Sequence, residues 1–153
     1  LAAGLAPYQT AYQDSFITHT HALLGIAPLG ELQADTEFLQ AFYAWMTETG
    51  ASWPQVFFDW FGGVASADRA SASPLAALYA DDPFAPVRAG FEARQPVRPG
   101  RLHHAYFQAP APVSLLIDEV EAVWAPVAES DDWSAVEAKL AHIEQARQAY
   151  LGS

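Results

Sequence analysis

The chain has 153 residues, of which 52% are hydrophobic, and this suits a single domain with a real core rather than a disordered chain. The absence of cysteine excludes disulfides, thiolate metal sites and cysteine nucleophiles. Seven basic residues against eighteen acidic ones give a net charge of −11, which would repel a phosphate backbone, so we expect no nucleic-acid partner.

The first third of the chain is predicted to form three helices. Residues 8–24 place apolar side chains at three- and four-residue steps, as an amphipathic helix requires, and Gly25 ends it. A second helix begins at Asp35 or Thr36, either of which suits an N-cap, and ends at Gly50. The segment 53–61 is apolar nearly all round and predicts a short buried helix. The apolar face of the first helix comprises Tyr8, Ala11, Tyr12, Phe16, Ile17 and Leu23.

The remainder alternates proline-bearing links with further helices. Residues 64–74 are small and polar, which is typical of a surface loop. Proline opens brief helices after Ser73 and Asp82. Residues 114–124 predict a helix that Pro126 breaks or kinks, and Asp131 is a good N-cap for a helix over 133–151. The prediction is an all-α domain over residues 1–153, an irregular assembly of about six to seven helices with proline-rich loops.

The sequence also supports an expectation about where the protein is located and whether the chain is part of a longer protein. No apolar run reaches the roughly 20 residues of a membrane span, and no basic segment precedes an apolar stretch. We therefore expect a cytoplasmic protein without a membrane partner. Because the chain starts with Leu1 rather than Met, we expect a processed form or a piece of a longer protein.

The histidines are the first residue type to weigh for metal chemistry. His19 and His21 are two apart, so on a regular helix they face different directions and do not share a metal. His103 and His104 fall in a loop-like segment where a metal could be reached, but no third ligand is identifiable. We therefore predict no metal site, and expect partly exposed helix histidines and loop histidines that satisfy backbone groups.

The acidic residues of the C-terminal third have an equally plain interpretation. Asp118 and Glu121 are three apart on a helix, and paired carboxylates can hold a divalent ion when a second pair lies opposite. A solvated face, or a salt bridge to one of the five central arginines, fits better. The sequence also contains no G-x-S-x-G element and no phosphate-binding glycine loop, and its one lysine is Lys139. From the residues alone, we predict no catalytic residue and no autonomous enzyme.

Four stretches of the sequence nevertheless resemble the C-terminal half of the selenoprotein O family. These are A-Y-Q-D-S-F-I-T-H at 11–19, L-L-G-I at 23–26 and, within a longer stretch that runs from Phe38 to Trp60, W-M-T-E-T-G-A-S-W at 45–53 and F-F-D-W at 57–60. Two further stretches, 81–94 and 131–134, match the family in order and spacing. The family's Asn-Pro and Arg-Asn signature, which would fall around 103–119, is absent, and so is its terminal cysteine or selenocysteine motif.

The resemblance implies a particular setting for this chain. Selenoprotein O-like proteins are implied to be pseudokinase-fold adenylyltransferases, which move AMP from ATP onto protein hydroxyls with a divalent metal such as Mg²⁺. The family's catalytic core lies upstream of the matching region, so no catalytic, ATP-binding or metal-binding residue is carried onto this sequence. The expected partner is that upstream catalytic lobe. The alternative is a free-standing acidic helical module that binds a basic protein.

The sequence also suggests where such a partner would bind. Aromatic residues and arginine are enriched at interface hot spots, and both types concentrate between residues 79 and 107. The alternative is that Phe84 and Phe91, seven apart on one helix, pack inward. The candidate interface residues are Tyr79, Phe84, Arg88, Phe91, Tyr106 and Phe107.

Overall fold

The computed structural model describes residues 2–152, with side chains described over 8–152. Within that part of the chain all regular structure is helical, which confirms the all-α prediction, and a single bridge joins Ile26 to Pro96. The helices are α1 (Ala2–Leu23), α2 (Leu32–Thr49), α3 (Trp53–Asp59), α4 (Ala67–Ser71), α5 (Ala76–Ala80), α6 (Ala85–Glu92), α7 (Ile117–Ser130) and α8 (Ser134–Leu151). Short 3₁₀ helices cover Gly63–Ser66, Asp82–Phe84, Pro99–His103 and Ala105–Gln108.

The main core lies between α2, α3 and α6, where aromatic residues at helical spacing meet. The ring of Trp60 stacks on that of Phe91, with centroids 4.9 Å apart. Phe42 packs edge-on against Phe91 at 5.9 Å, a geometry that aromatic pairs favour. Trp45 and Trp60 are buried as predicted, whereas Phe57 is only partly buried at the edge of this core.

A second core joins α3 to the C-terminal helix. Phe58 and Phe61 point away from the main core and pack against Tyr106 and Phe107 of the last 3₁₀ helix. Helix α8 closes this cluster with Ala146, Ala149 and Tyr150. Because the small alanines allow close approach, the C-terminal helix packs directly onto the rest of the molecule.

Helix α1 was predicted with the wrong face inward. Of the six residues on its predicted apolar face, Ile17 is buried, whereas Tyr8, Tyr12, Phe16 and Leu23 are exposed. The inward positions near the end of α1 belong instead to Thr20, His21 and Leu24. Apolar and polar residues alternate around this helix without a clear boundary, so periodicity alone does not select the buried side.

Residues 64–74 were predicted as a surface loop and are instead mostly helical. A 3₁₀ turn runs directly into α4, and Ser66, Ala70 and Ser73 are buried. Ser66 Oγ donates to the carbonyl of Phe61 at 2.5 Å. Small polar residues therefore serve here as close-packing residues whose hydroxyls satisfy buried carbonyls.

The starts of α2 and α7 and the capping residue of α8 differ from the prediction. Helix α2 begins at Leu32, three residues before Asp35, because the Asp35 carboxylate accepts from the preceding Leu29 and Gly30 amides rather than capping the helix. Helix α7 begins at Ile117 and continues through Pro126 to Ser130. Asp132, not Asp131, accepts from the first-turn amide of α8, at Ser134. Proline is tolerated in α7 because Ala122, whose carbonyl loses its partner, is exposed to water.

Among the described helices, none is both long enough and apolar enough to cross a bilayer.

Candidate functional site: two closed polar clusters and an exposed apolar face

A buried charge cluster joins α1, α2 and the end of α6. Arg94 donates to Asp35 Oδ1 at 2.7 Å and to His21 Nε2 at 3.0 Å. The other His21 ring nitrogen lies 2.8 Å from the Ile17 carbonyl. The guanidinium also covers the Phe38 ring, with its carbon 4.2 Å from the centroid. His21, Asp35 and Arg94 are 1–2% exposed.

The electrostatics of this cluster suit a structural role. Burial lowers the pKa of His21, so the ring is neutral near pH 7 and accepts from Arg94. Burial alone would raise the pKa of Asp35, but the Leu29 amide, Arg94 and the Gly30 amide hold it below its usual value. Every charged group of the cluster therefore has its partners inside the protein.

A second buried cluster surrounds Asp59 at the end of α3. One carboxylate oxygen accepts from Gln55 Nε2 at 2.8 Å. The other accepts from the Tyr79 hydroxyl at 2.8 Å and from the Ser73 hydroxyl. Burial, followed by the hydrogen bond to Asp59, raises the pKa of the Tyr79 phenol, which keeps it protonated as the donor. The arrangement ties α3 to α5 and to the turn after α4, and all four side chains are buried.

The histidines that were considered as metal ligands have different surroundings in the structure. His19 and His103 are exposed, whereas His21 is fully buried, which corrects the expectation that both α1 histidines are partly exposed. His104 Nδ1 accepts from the Tyr106 amide, a backbone role as predicted. Among the described residues, no three His, Asp or Glu side chains come together as a metal site.

Asp118 and Glu121 lie on a solvated face, which was one of the two predicted alternatives, and the ion pair of this region uses a different carboxylate. Asp118 and Glu121 are exposed, and the paired carboxylate is Glu119, which accepts from Lys139 at 2.8 Å and from the Ser114 hydroxyl. The cation therefore comes from α8 rather than from a central arginine. The sequence could not show this, because the choice depends on how α7 and α8 are rotated against each other.

The candidate interface residues also need correction. Phe84 and Phe91 are completely buried in the main core, and Tyr79 lies beside them. Tyr106 and Phe107 are buried in the second core. Of the six residues, only Arg88 is exposed, and it donates to the Tyr79 carbonyl. The inward-packing alternative therefore describes Phe84 and Phe91, because the short helices around them close over both rings.

An exposed apolar surface lies elsewhere, on the hairpin of α7 and α8. Helix α7 has no buried residue, and its packing is mainly against α8. Its large side chains Ile117 and Trp124 are 75% and 53% exposed. Trp124 meets Trp133 edge-on at 5.8 Å, and these rings join the two helices into one surface. We call this surface the α7–α8 face; it comprises Leu116, Ile117, Val120, Trp124, Trp133 and Leu140.

Carboxylates border the α7–α8 face on both helices. Glu121 lies between Ile117 and Trp124 in sequence, one helical turn from each, and Glu137 is placed likewise between Trp133 and Leu140. The two cations of this region already form ion pairs: Lys139 pairs with Glu119, and Arg147 pairs with Glu144. The exposed apolar side chains of the face therefore have carboxylates directly beside them. The sequence does contain a signal for the α7–α8 face. Helix α7 has apolar residues on several sides, but it also has too many acidic residues for a core helix.

The chain matches no family model, no curated protein and no solved structure.

Proposed function

We propose that this chain is a helical protein-binding module, which contributes a docking surface rather than catalytic groups. The exposure of the whole α7–α8 face carries this proposal. Contiguous apolar surface bordered by polar residues is typical of protein-interaction sites, and paired tryptophans are favoured interface residues. Both deeply buried polar clusters have their hydrogen-bonding groups directed at neighbouring helices.

The chemistry of the face defines its partner. Burying a side chain such as Ile117 or Trp124 stabilises a complex by about 1.5–3 kcal/mol, which requires an apolar counterpart. The carboxylates beside them favour lysine or arginine at the rim of that counterpart. We therefore propose a folded protein with an apolar patch surrounded by basic side chains.

The resemblance to selenoprotein O makes this proposal more specific. We propose that the chain is the C-terminal helical region of a cytoplasmic selenoprotein O-like protein adenylyltransferase, and that its partner is the catalytic lobe. The stretches that carry the resemblance lie in or directly beside α1, α2 and α3, and they contribute Leu24, Ile26, Trp45, Met46 and Trp60 to the main core. ATP and Mg²⁺ do not fit the residues present: Lys139 pairs with Glu119, and the described side chains offer no metal-binding group. In this proposal the nucleotide and metal belong to the lobe.

A second candidate is a free-standing acidic module that binds an unrelated basic protein. Glu121 and Glu137 beside the face favour it, because their carboxylates form no ion pair among the described residues and suit any basic partner. The gene sequence directly upstream of the Leu1 codon distinguishes the two candidates. A kinase-like segment there supports the adenylyltransferase region, and an unrelated upstream sequence supports the free-standing module.

The first prediction concerns the docking surface. Ile117→Asp should weaken binding to a purified selenoprotein O-family catalytic lobe by at least about tenfold, because it places a charge in the proposed apolar contact. Leu32→Asp is the matched control, since Leu32 is also the first residue of its helix and is also exposed, at 53%. Aspartate at either position is compatible with a helix N-terminus. Isothermal titration calorimetry measures the affinities.

Equal affinities for Ile117→Asp, Leu32→Asp and the wild type would exclude the α7–α8 face as the binding surface. Higher salt should weaken the wild-type complex, because the proposed rim contacts are solvent-exposed ion pairs. Binding that is insensitive to salt would contradict the basic rim.

The second prediction concerns activity. The purified chain should neither bind Mg-ATP with micromolar affinity nor transfer AMP to protein, because the sequence has no phosphate-binding glycine loop and its one lysine lies in a surface ion pair. Calorimetric titration and transfer of labelled AMP measure both properties. Micromolar binding, or stoichiometric labelling of a protein, would show that chemistry resides in this chain.

A further inference from the structure

A cavity beside α4 is lined by an arginine whose hydrogen-bonding groups are only partly used. This cavity, of about 660 Å³, lies between α4 and the segment 99–110 and opens to solvent. Arg69 of α4 lines it, together with apolar side chains that include Leu102 and Phe107. It is separate from the α7–α8 face.

Hydrogen bonds from one guanidinium nitrogen, Nη2, and contacts with two aromatic rings hold the Arg69 side chain in position. Nη2 donates to the Phe61 carbonyl at 2.8 Å and to Ser66 Oγ at 2.9 Å. The guanidinium carbon lies 4.6 Å from the centroid of the Phe107 ring and 5.2 Å from that of Phe58. Nε is buried without a partner, and Nη1 makes no hydrogen bond among the described residues. The side chain is therefore fixed in position with part of its donor capacity unused.

The charge of Arg69 is also without a close counter-ion. No described carboxylate lies within ion-pair distance of it. Asp59 acts on Arg69 from farther away, and its oxygens already accept from Gln55, Ser73 and Tyr79. Burial lowers the pKa of Arg69, which reflects the cost of its partial removal from water. An anion in the cavity would compensate that cost through charge-assisted hydrogen bonds.

We propose that this cavity binds a small organic carboxylate with an aromatic or similarly apolar body. The carboxylate would accept from the free part of the Arg69 guanidinium, and the body would lie against Leu102 and Phe107. The serine hydroxyls take no part, since the Ser66 proton goes to the Phe61 carbonyl and the Ser73 proton to Asp59. A single guanidinium suits a monoanion better than a phosphate dianion, because the Asp68 carboxylate also lines the cavity.

Benzoate and its neutral isostere benzamide test this proposal on the full chain. Titration followed by amide and arginine side-chain NMR shifts should show saturable benzoate binding, with shifts at Arg69, Leu102 and Phe107. Benzamide should bind at least about tenfold more weakly, since it lacks the charge that strengthens a hydrogen bond to guanidinium. Inorganic phosphate should bind more weakly than benzoate. Equal binding of benzoate and benzamide, absence of saturation at millimolar benzoate, or stronger binding of phosphate would overturn the proposal.

Two variants complete the test. Arg69→Gln should abolish the preference for benzoate over benzamide, and a preference that persists in the folded variant would overturn the proposal. Because Arg69 also supports the Phe61 carbonyl, the second variant leaves it intact. Asp68→Asn removes an exposed carboxylate from the cavity lining and should tighten benzoate binding severalfold without changing that of benzamide. Unchanged benzoate affinity in Asp68→Asn would contradict a charge-selective site.

Discussion

Replacing Asp35 with alanine is expected to lower the free energy of unfolding by about 3–5 kcal/mol, because it leaves the Arg94 guanidinium buried without its counter-ion. The Leu29 and Gly30 amides lose their acceptor in the same step. Urea denaturation followed by circular dichroism measures the change. Asp14→Ala, an exposed carboxylate on α1, is the matched control and should change the unfolding free energy by less than about 0.5 kcal/mol.

A double variant tests whether the loss comes from the unpaired charge. Asp35→Ala combined with Arg94→Met should lose less stability than the sum of the two single variants, because the second change removes the uncompensated cation. Strict additivity of the two losses would contradict a coupled pair. A loss in Asp35→Ala no larger than in Asp14→Ala would show that the cluster does not hold α1, α2 and α6 together.

Trp60→Ala is expected to cost about 3–5 kcal/mol of stability, whereas Trp133→Ala should cost much less. Trp60 is 2% exposed and stacks on Phe91, so its truncation leaves a cavity in the main core. Trp133 is 47% exposed and lies on the α7–α8 face. Thermal and urea midpoints of the two variants measure the difference.

Trp60→Phe separates ring packing from the indole nitrogen. Trp60 Nε1 is buried and has no hydrogen-bond partner among the described residues, so its removal should itself cost nothing. Trp60→Phe should therefore be clearly more stable than Trp60→Ala. Equal, small losses for Trp60→Ala and Trp133→Ala would mean that the core lies elsewhere.

The sequence predicts helix positions well where glycine and proline mark the ends. Gly50 adopts the left-handed conformation that ends α2, with φ 65°, and Pro54 occupies the first turn of α3. The burial of Trp45 in α2 and of Trp60 directly after α3 also follows from apolar spacing. Such signals are local, since each depends on residues within one or two helical turns.

The buried clusters could not be predicted in the same way. His21, Asp35 and Arg94 are far apart in the chain, and each alone has the character of a surface residue. They meet because a bridge between Ile26 and Pro96 joins the link after α1 to the segment after α6. This pairing brings Arg94 next to His21 and Asp35. The short helices near residue 70 were missed for a related reason: small polar residues have weak local preferences, and buried partners determined their conformation.

The predicted interface residues were placed on buried positions because composition does not show which aromatic residues tertiary packing will cover. Phe91 and Trp124 are both aromatic residues in amphipathic helices, yet one is completely buried and the other is 53% exposed. Helix α6 lies against α2, whereas the outward side of α7 has no neighbouring element among the described residues. The difference is set by the arrangement of helices in the fold.

Oxidative footprinting of the tryptophans, with and without the purified selenoprotein O-family catalytic lobe, tests the docking proposal most directly. Trp53 is an internal control, since it is as exposed as Trp133 but lies at the start of α3 beside Tyr43. All three of Trp53, Trp124 and Trp133 should react in the free chain. The lobe should protect Trp124 and Trp133 and leave Trp53 reactive. Protection of Trp53 with Trp124 and Trp133 still reactive would contradict docking through the α7–α8 face.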